Sequence, residues 1–145
     1  MSWQALEDGN MGLADFGRSR FESRVAYLAT LRKDGSPRVH PVTPFVAEGH
    51  LLVGMAAPSQ KGHDLRRDGR YALHFSVEDD KGGGGEFIIS RQAKFTDSPM
   101  MRAIATKHAP YNFEDRHILF ELGIERALAT IYTEDGTKHD RWEKS

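Results

Sequence analysis

Residues 58–65 read Pro58-Ser59-Gln60-Lys61-Gly62-His63-Asp64-Leu65, and the run continues through Arg66 and Arg67 to Asp68-Gly69. Ser59 is a good N-cap, because its hydroxyl can accept from a first-turn backbone N–H. Asp68-Gly69 is a stop. The segment predicts one short helix over 60–67, and strand patterns lie on both sides of it.

Upstream, residues 24–32 alternate with Val25, Tyr27, Ala29 and Leu31 on one face, a strand signal. Lys33-Asp34-Gly35-Ser36 is a hairpin turn. Residues 37–46 continue as a strand in which Pro41 and Pro44 cannot donate to a ladder, implying an edge, a bulge or a bend. Glu48-Gly49 turns the chain into a strand over 50–55, and a helix over 13–22 precedes the whole run, with Leu13, Phe16, Arg20 and Phe21 on one face.

Downstream, 70–77 and 86–95 alternate as strands around an acidic, glycine-rich loop over 78–85. Tyr71, Leu73, Phe75 and Val77 share one face, as do Phe87, Ile89, Ala93 and Phe95. Ser98-Pro99 starts a helix over 99–108, with Pro99 at its first position. Asn112 is expected to cap a second helix over 113–121, after which 123–133 returns to strand and 137–143 forms a short strand or tail. The sequence predicts five strands and a further one, with helices placed singly between them. Antiparallel hairpins with occasional helices argue for a mainly β fold, a closed or half-closed barrel with short helices.

The chain has 145 residues, which fits a single domain over 1–145. A formal net charge of -1 leaves no global basic field to attract nucleic acid or acidic lipid. Cysteine is absent, which removes disulfides, thiolate catalysis and cysteine-ligated metal. The first residues lack a basic start and an apolar run, and no apolar stretch is long enough for a membrane span. A cytoplasmic location without membrane or nucleic-acid partners is therefore expected.

Chemistry concentrates in three segments. At the start of helix 60–67, free backbone N–H groups and the positive end of the helix dipole meet the Ser59 hydroxyl. Lys61 in the first turn and Gly62 inside the helix are both locally unfavourable, glycine by about 1 kcal/mol against alanine. Both make sense if a phosphate docks there, although an ordinary solvated helix start would read the same way. Arg38 and His40 share a strand face, and a guanidinium beside a helix N-terminus can complete a phosphate clamp. The alternative is a surface arginine on an edge strand. Gln92 carries donors and an acceptor suited to the polar edge of a flat heterocycle, or is simply an exposed strand residue. The seven histidines show no metal-ligand spacing, and no nucleophile elbow, zinc-protease helix or Walker loop appears. A redox reaction would have to be carried by a cofactor.

Five elements carry a resemblance: Tyr27-Leu28-Ala29-Thr30-Leu31, then Asp34 to Val42, Ser59 to Gly62 with Asp64 to Asp68, Arg70 to Phe75, and Arg91-Gln92. In this order they resemble the pyridoxamine 5′-phosphate oxidase-like, FMN-binding split-barrel family, best over residues 22–95. The resemblance implies a six-stranded antiparallel Greek-key split barrel, and a homodimer with cofactors in clefts at the subunit interface. It implies that Arg38 and Lys61 hold the cofactor phosphate with Ser59 and Gln60 nearby. Backbone of Val39, His40, Pro41, Val42 and Thr43 would line the flavin, and Gln92 would approach it, often from the other subunit. Thr43 stands where some members carry a second lysine. His139-Asp140-Arg141 resembles an oxidase element whose arginine touches cofactor, while Trp142 resembles a tryptophan common near the C-terminus of shorter relatives.

The expected function is an FMN-dependent oxidoreductase that transfers hydride between flavin and a small-molecule substrate. The alternatives are a deazaflavin-coenzyme reductase, whose longer acidic tail Arg66, Arg67 and Arg70 would serve, and a non-enzymatic flavin-binding or redox-sensing module. A heme protein would draw an axial ligand from His40, His63 or His74.

Overall fold

In the computed structural model, residues 1–21 and 25–145 are described. The element order is α1 (Ser2–Gly9), α2 (Met11–Ser19), β1 (Ala26–Leu31), β2 (Pro37–Val42), β3 (Phe45–Ala47), β4 (His50–Ala56) and α3 (Gln60–Arg67). It continues with β5 (Arg70–Phe75), β6 (Glu86–Phe95), α4 (Pro99–His108), β7 (His117–Leu122), β8 (Arg126–Thr133) and β9 (Gly136–Glu143). The expected ends at residue 22 of the first helix and residue 24 of the first strand lie outside the described residues.

All the strand pairs are antiparallel, in the order β2-β1-β5-β6-β7-β4-β3, with β8 also on β6 and β9 on β8. The long strand β6 belongs to both halves. Its first half pairs β5 and β8, and its last three residues, Ala93 to Phe95, pair β7. The change of partner falls at Arg91, whose φ of 150° marks a kink in the strand. Gly69 and Gly123 let the neighbouring chains close onto that kink, through Ala93 N–H to Gly69 O and Gly123 N–H to Gln92 O. A sheet bent this way becomes a half-closed barrel, the mainly β architecture expected from sequence.

The barrel interior is filled from β1, β4, β5, β6 and β8 and closed by the N-terminal helices. Trp3, Leu13, Leu28, Phe75 and Phe87 are fully buried. Phe21 and Phe75 stack at 4.6 Å between centroids, and Phe75 and Phe87 at 5.6 Å. Such pairs add about 0.5–1.5 kcal/mol beyond their burial. A second cluster, Phe45, Leu52, Met101, Ala105, Phe113 and Leu119, packs α4 onto β3, β4 and β7.

Several expectations are corrected. Residues 113–121 do not form a helix capped by Asn112; His117–Leu122 is strand β7. Short apolar runs are ambiguous between the two states, and here pairing with β4, Leu52 opposite Glu121 through Ala56 opposite His117, decides. The strand expected over 37–46 breaks into β2 and β3 at Thr43-Pro44, as the missing donor of Pro44 requires. The segment 137–143 is a full strand in hairpin with β8. On β1 the face that Val25 and Tyr27 share is the outer one: these two are 43% and 47% exposed, while Ala26, Leu28 and Thr30 point inward. Both faces of that strand are apolar, so alternation alone could not choose between them.

Candidate functional site

Strand β2 runs beside β1 with Arg38 opposite Thr30 and His40 opposite Leu28. This register turns Arg38 and His40 to the inward side, toward α3. Ser59 caps α3, its Oγ accepting from Gly62 N–H at 3.3 Å. The N–H groups of Gln60 and Lys61 then point out of the first turn with no acceptor inside the helix. Lys61 has no ion-pair partner among the described residues, and burial pushes its ammonium below the usual lysine value. A half-buried cation at a helix end already rich in donors is poorly placed without an anion.

Under the helix lies Asp64, 2% exposed. Its Oδ2 accepts from Thr30 Oγ1 at 2.8 Å and from Arg38 Nε at 2.8 Å, and its Oδ1 from Arg67 Nη2 at 2.9 Å. Burial pushes this carboxyl up, and the three donors outweigh it, holding Asp64 below the usual aspartate value. Among the described residues only Nε of Arg38 is taken, which leaves its Nη groups as donors for a further acceptor. His40 lies close to the same charges: burial first, then Lys61 and Arg38, hold its imidazole below the usual histidine value. Its Nε2 is buried with no partner among the described residues. Ser59, Lys61, Arg38 and His40 therefore form one electropositive cradle at the mouth of α3. Hydroxyl, backbone N–H, ammonium and guanidinium are the donor set that a phosphate ester takes, so these residues fit the phosphate of a nucleotide-like cofactor.

Gly62 has a reason other than an approaching phosphate. A Cβ there would stand 2.9 Å from Ser59 Oγ and 3.0 Å from Ile118 Cδ1. The glycine lets α3 lie close on β4 and β7.

The other candidate residues are placed apart. Val42 is buried, whereas Val39, Pro41 and Thr43 are exposed on the outer face and end of β2, Val39 by 62%. Gln60 is exposed beside the cradle. Gln92 lines a separate cavity of about 400 Å3 together with Met1, Ser2, Lys94, Glu121 and Lys144. Arg141 lines another cavity of about 400 Å3 with Ile88, Ser90 and Leu128. Trp142 turns inward and packs on the core, its indole filling the place where a Cβ on Gly9 would go. Four strands separate β2 from β9 across the sheet, so one copy of the chain does not bring Arg141 or Trp142 to the cradle by strand pairing.

Three arginines near α3 already have partners. Arg66 stacks over the Phe95 ring at 3.9 Å, and Arg67 bonds Asp64 and Leu31 O. Arg70 clamps Asp68 at 2.7 Å, which holds that carboxyl down to about 2. His74 is engaged as well, at Phe75 O and Glu86. Sequence reasoning gave Asp64 and Thr30 no role of their own and offered Arg67 only for a deazaflavin tail, not as a partner of Asp64. The available signal was an acid three residues after Lys61 on the inward side of the helix, beside a strand threonine.

No family model and no curated protein matches the chain. Solved structures do. A heme-binding protein from Mycobacterium smegmatis superposes with a TM-score of 0.67 at 17% identity, over 86% of this chain and 57% of its own, so this chain spans little more than half of that protein. A NimC/NimA family protein from Clostridium acetobutylicum gives 0.68 at 18% identity, covering 92% of this chain and 93% of that one. A putative pyridoxamine 5′-phosphate oxidase from Listeria innocua gives 0.63 at 12% identity, over 79% and 95%. At these identities the likeness is one of fold, and the fold of this chain is the split barrel of the pyridoxamine 5′-phosphate oxidase-like proteins.

Proposed function

We propose that the chain is a homodimeric, FMN-binding oxidoreductase that acts on a small molecule and holds the FMN phosphate at the mouth of α3. The observation that carries this reading is Lys61, a half-buried cation without a counter-ion among the described residues, set at the helix N-terminus beside the Nη donors of Arg38. When bound, the flavin supplies hydride chemistry that no side chain here supplies. The chain's own part is to anchor the phosphate with Lys61, Arg38 and Ser59 and to set β2 backbone along the ring. The longer acidic tail of a deazaflavin coenzyme would need further free cations, and Arg66, Arg67 and Arg70 are all engaged.

The dimer reading rests on the outer face of β1 and β2. Val25, Tyr27 and Val39 form an exposed apolar strip there, flanked by Pro37 and Pro41. A sheet apolar on both faces is usually covered on both. A second copy on that strip would hide it and add an apolar wall beside the cradle.

The visible spectrum of the purified protein, followed by FMN titration and light scattering, tests the proposal. Flavin absorption or micromolar FMN binding is expected, lost in Arg38→Ala with Lys61→Ala while the fold and dimer persist. A wild-type protein that binds heme with a Soret band and ignores FMN would overturn the reading. A monomer in solution would remove the dimer.

A further inference from the structure

Asp64 is an acid at the heart of a site read here as a phosphate cradle, and its charge opposes such a ligand. We infer that Asp64 is the positioning residue of the cradle, fixing Arg38 so that its outer donors meet the incoming phosphate. The inference rests on the phosphate reading above and adds a residue to it.

The geometry is specific. Asp64 projects inward from α3 and bonds one group from each neighbouring strand, Thr30 of β1 and Arg38 of β2. Both bonds are 2.8 Å and both fall on Oδ2. Arg67, one turn further along the helix, takes Oδ1 and reaches on to Leu31 O at 2.7 Å. The carboxylate is thus locked by three donors from three elements, and its side chain is 3% exposed against 21% for Arg38. An arginine bound through Nε has its guanidinium plane set, and the edge of that plane remote from the bond carries Nη donors that another acceptor can take. A strand arginine without that tether would sample many rotamers, and each ligand would bear the cost of ordering it.

Charge and orientation predict opposite signs for one substitution. Asp64→Asn removes a negative charge close to the proposed anion. If charge dominates, FMN binds more tightly. If orientation dominates, FMN binds more weakly, because an amide cannot receive Thr30 and Arg38 on one oxygen and Arg67 on its other atom. We expect weaker binding by about tenfold, the lower end for one lost hydrogen bond to a charged group.

The test measures FMN and riboflavin dissociation constants for wild type, Asp64→Asn, Arg38→Ala and the double variant, with circular dichroism as a fold check. Tighter binding of FMN than of riboflavin by wild type, a tenfold loss for FMN alone in Asp64→Asn, and no further loss in the Arg38→Ala background would establish positioning. A purely structural role would not vanish when Arg38 is gone. Equal or tighter FMN binding in Asp64→Asn overturns the inference, as does a full loss in the Arg38→Ala background. Wild type that binds riboflavin as tightly as FMN overturns the phosphate reading itself. Should Asp64→Asn fail to fold, Thr30→Val removes one of the locking bonds and leaves the charge. It should weaken FMN two- to threefold, again only when Arg38 is present, and unchanged binding would overturn the inference.

Discussion

Asp64 and Glu121 are both carboxylates sunk into this barrel, and each ties several elements together, yet the two do different things. Asp64 is held by two permanent cations and a hydroxyl. Glu121 receives Ser2 N–H and Ser2 Oγ at 2.9 Å each and the His50 ring at 2.8 Å, all on Oε2. The first cluster carries one positive charge in excess, to which Lys61 adds another. The second has no cation in excess, because Glu121 brings a negative charge and its donors are a serine and a histidine. An acid that collects more cations than it needs leaves room for a further anion. An acid satisfied by a helix end and one histidine only fastens that helix, here α1, to β4 and β7. The contrast supports the proposed phosphate cradle better than carboxylate burial does.

The widest gap between the two should appear on truncation. Asp64→Ala leaves Arg38 and Arg67 facing a partly buried space without their counter-charge, and losing one partner of a buried pair costs about 3–5 kcal/mol. Arg67 is 37% exposed on its side chain and can rehydrate, so about 3 kcal/mol is expected from urea unfolding midpoints. Glu121→Ala should cost about 1–2 kcal/mol, since it strands no arginine or lysine and Ser2 is free to find water. Equal losses would break the distinction drawn between them.

What could be read from the sequence follows the same division. Ser59, Lys61 and the helix over 60–67 were legible because a cap, a first-turn cation and a stop lie within ten residues of each other. Arg38 was legible as a candidate through strand alternation. Asp64 was not, because its meaning comes from partners 34 and 26 residues away, brought alongside by the register of β1 and β2. The inward face of β1, which alternation left open, and the strand found at 117–122 have one cause in common. Segments apolar on both sides give periodicity nothing to choose with, and pairing partners decide. Gly62 was noticed for a sound reason, its cost inside a helix, but its neighbours Ile118 and Met55 lie on β7 and β4, which local sequence does not show.

Acid pH sharpens the comparison from the other side. Burial pushes the Glu121 carboxyl up, and the donations from Ser2 and His50 outweigh it, leaving Glu121 below its ordinary value of 4.5. A carboxyl held lower in the folded than in the unfolded state stabilises above the unfolded value and loses that contribution as pH falls through the folded one. The fastening of α1 should therefore weaken below pH 4.5. Trp3, fully buried on α1, reports it by a red-shifted fluorescence that precedes loss of the strand signal. Glu121→Gln should remove about 1 kcal/mol at neutral pH and flatten the pH dependence of α1 docking in that acid window. A Glu121→Gln variant whose Trp3 emission still shifts over the same range would place the acid sensitivity elsewhere, with Asp64 the next carboxylate to examine.

Gly62→Ala is the smallest effect on stability and the most selective for the cradle. Alanine inside a helix gains up to about 1 kcal/mol over glycine. Its methyl would meet Ser59 Oγ at 2.9 Å, Ile118 Cδ1 at 3.0 Å and Met55 Sδ at 3.3 Å. The last two are ends of flexible side chains and can give way. Ser59 Oγ has to rotate out, and the lost cap costs about 1 kcal/mol. Gain and loss nearly cancel, so the unfolding midpoint should move little. Anion binding has no such compensation: the hydroxyl proposed to meet the phosphate has turned away. FMN should bind Gly62→Ala several-fold more weakly at almost unchanged stability. The same substitution would leave affinity alone if the phosphate sat elsewhere, because the Glu121 cluster and the cavity beside Gln92 share no contact with Gly62.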